Sequence, residues 1–207
     1  SPMRRTIVSA FLLLVFLVSG CTTLRETQPS HTAREQLLLS TAADNASAQI
    51  APNLPVGTRI FVDAGNFGSG TDYQSQYAVN AIKSALLRGG FRLALSMEKA
   101  DSILNVSSGA LSIDQTDKLF GIPSGSIPIP FSGSLGTPEI AIYKSADRTG
   151  VAKFLLTFYN PETGAVQDAH DPIYGFSNFN RSSILFYGTT KSDLLPPDVK
   201  KRSPPRQ

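Results

Sequence analysis

Few side chains in this sequence are of the kinds that do chemistry. There is one cysteine, Cys21, and two histidines, His31 and His170. A single thiol forms no internal disulfide, and with so few thiols and imidazoles neither a cysteine zinc site nor a histidine-rich metal site can be assembled. His170 precedes Asp171 and could be imagined as a base beside its orienter. Sequence neighbours rarely point at each other, however, and the Asp171-Pro172 step favours a turn, so His170 is expected to be a solvated loop residue. The serine-nucleophile pattern Gly-x-Ser-x-Gly is missed by one position at Gly121-Ile-Pro-Ser-Gly125, and Gly175-Phe-Ser-Asn-Phe179 lacks its second glycine. Gly65-Asn-Phe-Gly-Ser-Gly70 lies between an expected strand and an expected helix, where phosphate loops sit. It matches neither Gly-x-Gly-x-x-Gly nor Gly-Lys-Ser/Thr, and is read as a strand-to-helix turn, with a small-anion site at the helix start as the alternative. Asp63, Asp101, Asp114 and Asp117 are scattered, with no carboxylate pair and no calcium-loop spacing. No enzyme signature survives, and neither a cofactor nor a metal is expected.

The one cysteine has a distinctive setting. Arg4 and Arg5 precede an apolar stretch from Ile7 to Val18. That is shorter than the ~20 residues a spanning helix needs, and it fits the apolar core of a secretory signal peptide. Val18-Ser19-Gly20-Cys21 then resembles a bacterial lipobox. The resemblance implies cleavage between Gly20 and Cys21, acylation of Cys21, and, with Thr22 rather than Asp following, sorting to the outer membrane of a Gram-negative cell. Three acyl chains would anchor the protein firmly, at ~0.8 kcal/mol per buried CH₂. The expected membrane contact is this lipid anchor on Cys21.

The anchor alters the charge account. The whole 207-residue chain carries 19 basic and 16 acidic residues. Residues 21–190 hold 12 basic and 14 acidic residues, so the excess of positive charge comes from the signal and from a Pro-rich basic tail at 191–207. Nucleic-acid binding calls for a clustered basic face on the folded body. None is visible along the sequence, and no nucleic-acid partner is expected. With 41% hydrophobic and 17% charged residues, the chain as a whole is too apolar to be disordered.

The elements follow from patterning. After a short lipidated tether, 21–32, comes an N-terminal helix in 33–50, about Ala33 to Gln49, with Thr32 and Glu35 at capping-box spacing. Eleven residues of tether reach no more than about 40 Å even when extended, so the body is expected close to the membrane. A globular α/β domain spans 55–190. Arg59 to Ala64 reads as a strand, and Thr71 with Gln74 opens a second helix, about Tyr73 to Leu87, whose inward face is Tyr77, Ala81, Ile82, Ala85 and Leu86. A short strand is expected at Phe91–Leu95 and a long one at Ser102–Asp114 (with a possible bulge at Ser108-Gly109), with further strands at Glu139–Lys144, Val151–Tyr159, Ala165–Ala169 and Ile173–Ser177. Ser145 to Gly150 reads as a connecting turn and Asn160-Pro-Glu-Thr-Gly164 as a hairpin turn. A last apolar run covers Ile184 to Tyr187, and 191–207 is expected to be disordered. The order predicts an α+β, or mixed α/β, single sheet-and-helix sandwich.

One segment stands apart. Leu119 to Pro138 contains no charged residue, while Pro128 and Pro130 oppose both helix and central strand. It reads as a long apolar loop, 119–138, that either completes the core or covers a second subunit, a partner or the membrane surface. The interface residues so expected are Leu119, Phe120, Ile122, Ile127, Ile129 and Phe131.

Three pieces resemble a known type of domain: Ile60-Phe-Val-Asp before a helix ending Leu-Leu-Arg-Gly-Gly-Phe, the strand Ala100-Asp-Ser-Ile-Leu-Asn-Val, and the hairpin Phe154-Leu-Leu-Thr-Phe-Tyr-Asn-Pro-Glu-Thr-Gly-Ala-Val. Together they are similar, over about residues 55–180, to the small α/β domain of CsgG-, PelC- and LpoB-like envelope lipoproteins, which serve curli secretion, polysaccharide export and activation of a peptidoglycan synthase. The whole chain also resembles an uncharacterised family of proteobacterial lipoproteins with the same Thr-Pro-Glu-Ile-Ala and Lys-Ser segments. The short tether is unlike the long LpoB arm, and no clear pair of membrane-spanning strands of the CsgG kind is visible. A PelC-like, non-enzymatic lipoprotein of the periplasmic face is thus expected, forming a homo-oligomer or joining an envelope or secretion complex. The alternative is a monomer that binds a small apolar or lipid ligand between Phe120, Phe131, Phe176 and Phe179.

Overall fold

A computed structural model describes residues 32–68, 72–122, 125–129, 133–137, 140–185 and 187–195. Cys21, the signal segment, His31, Phe131 and the tail beyond Leu195 lie outside the described residues. The described part is α+β: two helices and a seven-stranded mixed sheet, with a two-stranded sheet besides.

Helix α1 (Ala33–Ser47) begins where the capping box places it. The Thr32 hydroxyl accepts from the Glu35 N–H, and the Glu35 carboxylate accepts from the Thr32 N–H at 2.8 Å. Strand β1 (Arg59–Asp63) leads to helix α2 (Tyr73–Arg88). The cap of α2 is Asp72 rather than Thr71, its carboxylate accepting from the Ser75 N–H at 2.8 Å. A carboxylate acceptor bonds a helical N–H more strongly than a hydroxyl and favours the positive end of the helix dipole. The chain returns through β2 (Arg92–Leu93) and a 3₁₀ turn (Met97–Lys99) to the long β3 (Ser102–Ile122). A short hairpin follows, β4 (Gly125–Ile129) with β5 (Gly133–Thr137), then β6 (Ile140–Tyr159), β7 (Val166–Ala169), β8 (Ile173–Ile184) and β9 (Tyr187–Ser192).

The sheet order is β2-β1-β3-β6-β8-β9, with β7 pairing the end of β6. β1 runs parallel to β2 and β3, and every other described pair is antiparallel. The β3–β6 register shifts between Ser108 and Ala110, so the bulge falls where Ser108-Gly109 suggested. The Asn160–Gly164 turn also forms, with the Asn160 carboxamide oxygen accepting from the Glu162 and Thr163 N–H groups and Gly164 at φ +67°.

Three expectations are corrected here. Ser145 to Gly150 is no turn, because β6 runs through it without a break. Thr149 bonds Asn178 across the strands, and Asp147 accepts from Asn180 across the strands and from Ser145 of its own strand. The 119–138 segment is strand rather than long loop over most of its length: β3 continues to Ile122, and β4 pairs with β5, Ile127 opposite Leu135. The expected disordered tail starts too early, since Lys191 and Ser192 belong to β9 and Leu194 is buried with Leu38 and Phe179.

Both helices lie on one face of the sheet. The core between them is Ile60, Ile82, Leu86, Leu104, Val106, Phe154, Leu156 and Phe158, all but sealed from solvent. Alternation puts Ala152, Phe154, Leu156 and Phe158 of β6 on that face together. Helix α1 sits very close to the sheet, through Ala42, Ala43 and Ala46 on its own side. Glycine is required opposite. A Cβ at Gly150 would stand 2.5 Å from the Leu38 carbonyl oxygen, and one at Gly175 would meet the Ala42 carbonyl at a still shorter distance. The buried Ser177 hydroxyl donates to the Leu38 carbonyl at 2.6 Å and ties the same contact.

Candidate functional site

The strands outrun the helices. Every residue of β3 from Asp114 to Ile122 is exposed, and at ~3.3 Å per residue that overhang is about 30 Å long. Residues 140–149 of β6, the end of β8 and all of β9 pair alongside it. Long paired strands are therefore present where the sequence pattern reads as a turn and a loop.

One face of this overhang carries an apolar row. Phe120 pairs with Tyr143, Tyr143 with Ile184, and Ile184 with Tyr187, so a line of four side chains crosses β3, β6, β8 and β9. Phe120 is 67% exposed and Tyr187 76%. Ile122, Ile140, Ile142 and Leu185 are exposed near it. A contiguous apolar surface of this kind marks an interaction site more often than scattered exposed leucines do.

The face shared with α1 is different. Lys144, Arg148 and Arg181 line a cleft of about 390 Å³ together with Arg34 from the first turn of α1 and with Phe179. The Arg34 guanidinium lies 4.2 Å from the centre of the Phe179 ring, a cation–π contact. No carboxylate is among the described lining residues. The expectation of a body without a clustered basic face is corrected, since the topology gathers cations that are up to 147 positions apart.

Of the residues singled out for an interface, Leu119, Phe120 and Ile122 are exposed at this end, so they do not complete the core. Ile127 and Ile129 are register positions of the β4–β5 hairpin, and Phe131 lies outside the described residues. Of the four phenylalanines expected to line one pocket, the three described ones are not brought together. Phe176 is half-exposed and stacks on Tyr174 at 6.4 Å, while Phe179, three residues on and hence on the opposite face, is buried. Phe120 belongs to the apolar row far along the strand.

The remaining candidates resolve into structure. His170 is not a freely solvated side chain, being 27% exposed, with its ring edge against Phe158 and its Nε2 3.0 Å from the Asp168 carboxylate. Asp168 also accepts from the Asn53 N–H at 2.7 Å, holding the linker before β1 against β7. At the glycine-rich turn, Asp63 accepts from the Gly65 N–H and Asp72 from the Ser75 N–H. Two carboxylates already occupy the start of α2, which disfavours an anion there. Asp101 is held down to about 2 by Arg59, whose guanidinium and backbone N–H both donate to it. Among the described residues no group of three or more metal-ligating side chains stands together, and no helix is long and apolar enough to cross a membrane.

These features define a two-layer α+β protein whose elaborated surface is the overhanging end of its sheet. The chain belongs to a family of unknown function (DUF6655), whose model matches residues 16–167. The match takes in both helices and the strands as far as the first residues of β7, and it stops short of β8 and β9. None of the curated proteins matches the chain.

Proposed function

We propose that this protein is a non-enzymatic lipoprotein of the Gram-negative outer membrane, acylated on Cys21, that acts as an assembly or accessory component of an envelope or secretion complex on the periplasmic face. The observation that carries the reading is the overhanging sheet end. Its row Phe120–Tyr143–Ile184–Tyr187, exposed at every position but the half-buried Tyr143, leaves apolar surface in water unless another surface covers it. Burial of such surface is favourable at ~25 cal/mol per Å². The strand–helix–strand opening followed by antiparallel strands also supports the likeness to the CsgG- and PelC-type domain.

The test is the native mass of the acylated protein extracted from outer membrane in mild detergent. A discrete oligomer, or a complex with a second protein, is expected, and Phe120→Ser with Tyr187→Ser should disperse it. A monomer that co-elutes with nothing, unchanged by those substitutions, overturns the assembly reading. Recovery of Cys21→Ala in the soluble fraction checks the anchor separately.

A further inference from the structure

We infer that the far end of the overhang is a membrane-contacting tip, inserted endwise into the interfacial layer of a lipid bilayer. β3 and β6 close their pairing at Ile122 opposite Ile140, and β8 turns into β9 just after Ile184. Ile122, Ile140, Ile142 and Leu185 are all exposed at this end. The apolar surface is not confined to one face. Phe120 is exposed on one side of β3, and its neighbour Leu119, which alternation puts on the other side, is exposed as well. A protein seated on a sheet covers one face, whereas an end that is apolar on both sides suits an apolar phase.

The turn between β8 and β9 points the same way. Leu185, at φ +50°, is the one non-glycine at positive φ among the described residues, and a bulky side chain there is an outlier. Turns with such a position favour glycine or asparagine. Here a leucine is held in it, 63% exposed, with its N–H donating to the Ile142 carbonyl at 2.8 Å. Strain that leaves an apolar side chain in water contributes nothing to the fold, and burial of that side chain in lipid would offset it.

The dimensions agree. From the row Phe120–Tyr143–Ile184–Tyr187 to the Ile122–Ile140 pair is about 7 Å of strand, within the ~5–10 Å to which interfacial elements sink. Tyr143 and Tyr187 then stand at headgroup level, where amphipathic aromatic rings collect. The row faces along the membrane surface, where a neighbouring component would meet it. Behind it, the first charge on β3 is Lys118, whose long stem can lie along apolar surface with its ammonium among the headgroups. The nearest carboxylate on that strand, Asp117, is about 10 Å back from Phe120. Glu139, next to Ile140 in the sequence, lies outside the described residues.

The entry of the chain selects this end. Gln49 donates to the Tyr174 carbonyl, Asn45 to the Phe176 carbonyl, and the Arg34 guanidinium lies over Phe179. Followed back towards its first residue, α1 thus advances along β8 towards the overhang. From Phe179 to Ile184 is about 17 Å of strand, and the eleven residues from Cys21 to Thr32 reach up to about 40 Å. An acyl group on Cys21 can therefore lie in the bilayer that the tip touches. This placement rests on the anchor reading.

The chain contains no tryptophan, so a single introduced one reports its own surroundings. Acylated protein is reconstituted into phosphatidylethanolamine–phosphatidylglycerol vesicles as Ile140→Trp, as Leu185→Trp and, for the control, as Leu95→Trp. Leu95 is 91% exposed, just beyond β2, whose Leu93 is in register with Ile60 and through it with Ser102 at the opposite end of β3. Both tip reporters should emit at shorter wavelength than the control and lose about half their intensity to brominated acyl chains, as expected at the headgroup–acyl boundary. Emission matching the control, in protein that is acylated and held by the vesicles, overturns the tip and leaves the anchor standing. A shifted emission that brominated lipid does not quench means that protein covers this end, and overturns the tip too. Protein that carries no acyl group and is not retained by the vesicles overturns the anchor, and this placement with it.

Discussion

The two halves of the central strands obey different rules. Under α1 and α2, the strands present Leu104, Val106, Phe154, Leu156 and Phe158 to a sealed core, and small residues on both sides let α1 close on the sheet. Beyond the first turn of α1 the same strands continue in register, but with an exposed apolar row on one face and cations around a cleft on the other. Strand pairing and cross-strand side-chain bonds such as Thr149–Asn178 and Ser182–Thr189 hold the second half together. The fold is made by the first half, and the second is carried on it, free to change without unfolding the protein.

The sharpest test of that division is a substitution at the closest helix–sheet approach. Gly175→Ala forces the new methyl into the Ala42 carbonyl and the Ala46 backbone. The expected loss is about 3 kcal/mol, the upper end for an overpacked core, or a fall of roughly 6–12 °C in Tm for a chain of this size. Thermal unfolding followed by circular dichroism reads it directly. A Tm within about 2 °C of the parent, less than 1 kcal/mol is worth at this chain length, would mean that α1 slides freely on the sheet and that the two halves do not differ as argued.

The cap of α1 gives the next effect. Thr32→Ala removes the hydroxyl that accepts from the Glu35 N–H, an expected loss of about 1 kcal/mol, visible as a lower midpoint in urea at unchanged slope. This cap also fixes Arg34 at the rim of the cleft.

How much of this was legible in the sequence follows the same boundary. The covered half was readable, because burial on one face imposes a period: α1 with its capping box, the inward residues Ala81, Ile82, Ala85 and Leu86 of α2, the bulge at Ser108-Gly109 and the turn at Asn160–Gly164 all lie there. The overhang was not, because strands with one small-polar face and one mixed face carry no clear alternation. Asp147 and Gly150 are turn-formers by type, yet Asp147 is held by Asn180 across the strands and Gly150 makes room for α1. The proline-bearing 119–138 segment read as a loop because prolines oppose central strands, whereas an isolated two-stranded hairpin tolerates one where no partner N–H is required. The cationic cleft had no sequence signal at all. Arg34, Lys144, Arg148 and Arg181 share no motif, and only the register brings them together.

Substitution in the overhang should show the reverse signature. Phe120→Ser with Tyr187→Ser removes two largely exposed side chains, and surface changes of this kind leave stability within about 0.5 kcal/mol. The measurable change belongs to native mass in detergent, with Tm as the control. A Tm loss comparable to that of Gly175→Ala would show that the row is packed against something in the isolated chain.

The smallest effect concerns the end of β3 farthest from the overhang. Arg59 clamps Asp101 with its guanidinium and its backbone N–H, and the carboxyl is held down to about 2. A carboxylate whose folded pKa is depressed contributes stability that is fully present above its unfolded value, near ~3.9, and is lost as pH falls through its folded value. The contribution is therefore constant from neutral pH down to about pH 4 and disappears between about pH 4 and about pH 2. Both side chains are about half exposed, so salt screens the pair and its weight is modest. Asp101→Asn should flatten the acid limb of the Tm-against-pH curve over that window and leave the apolar row and the cleft untouched. If it instead altered native mass, the two halves would be coupled through the length of β3, and the division between a fold-making half and a carried half would not hold.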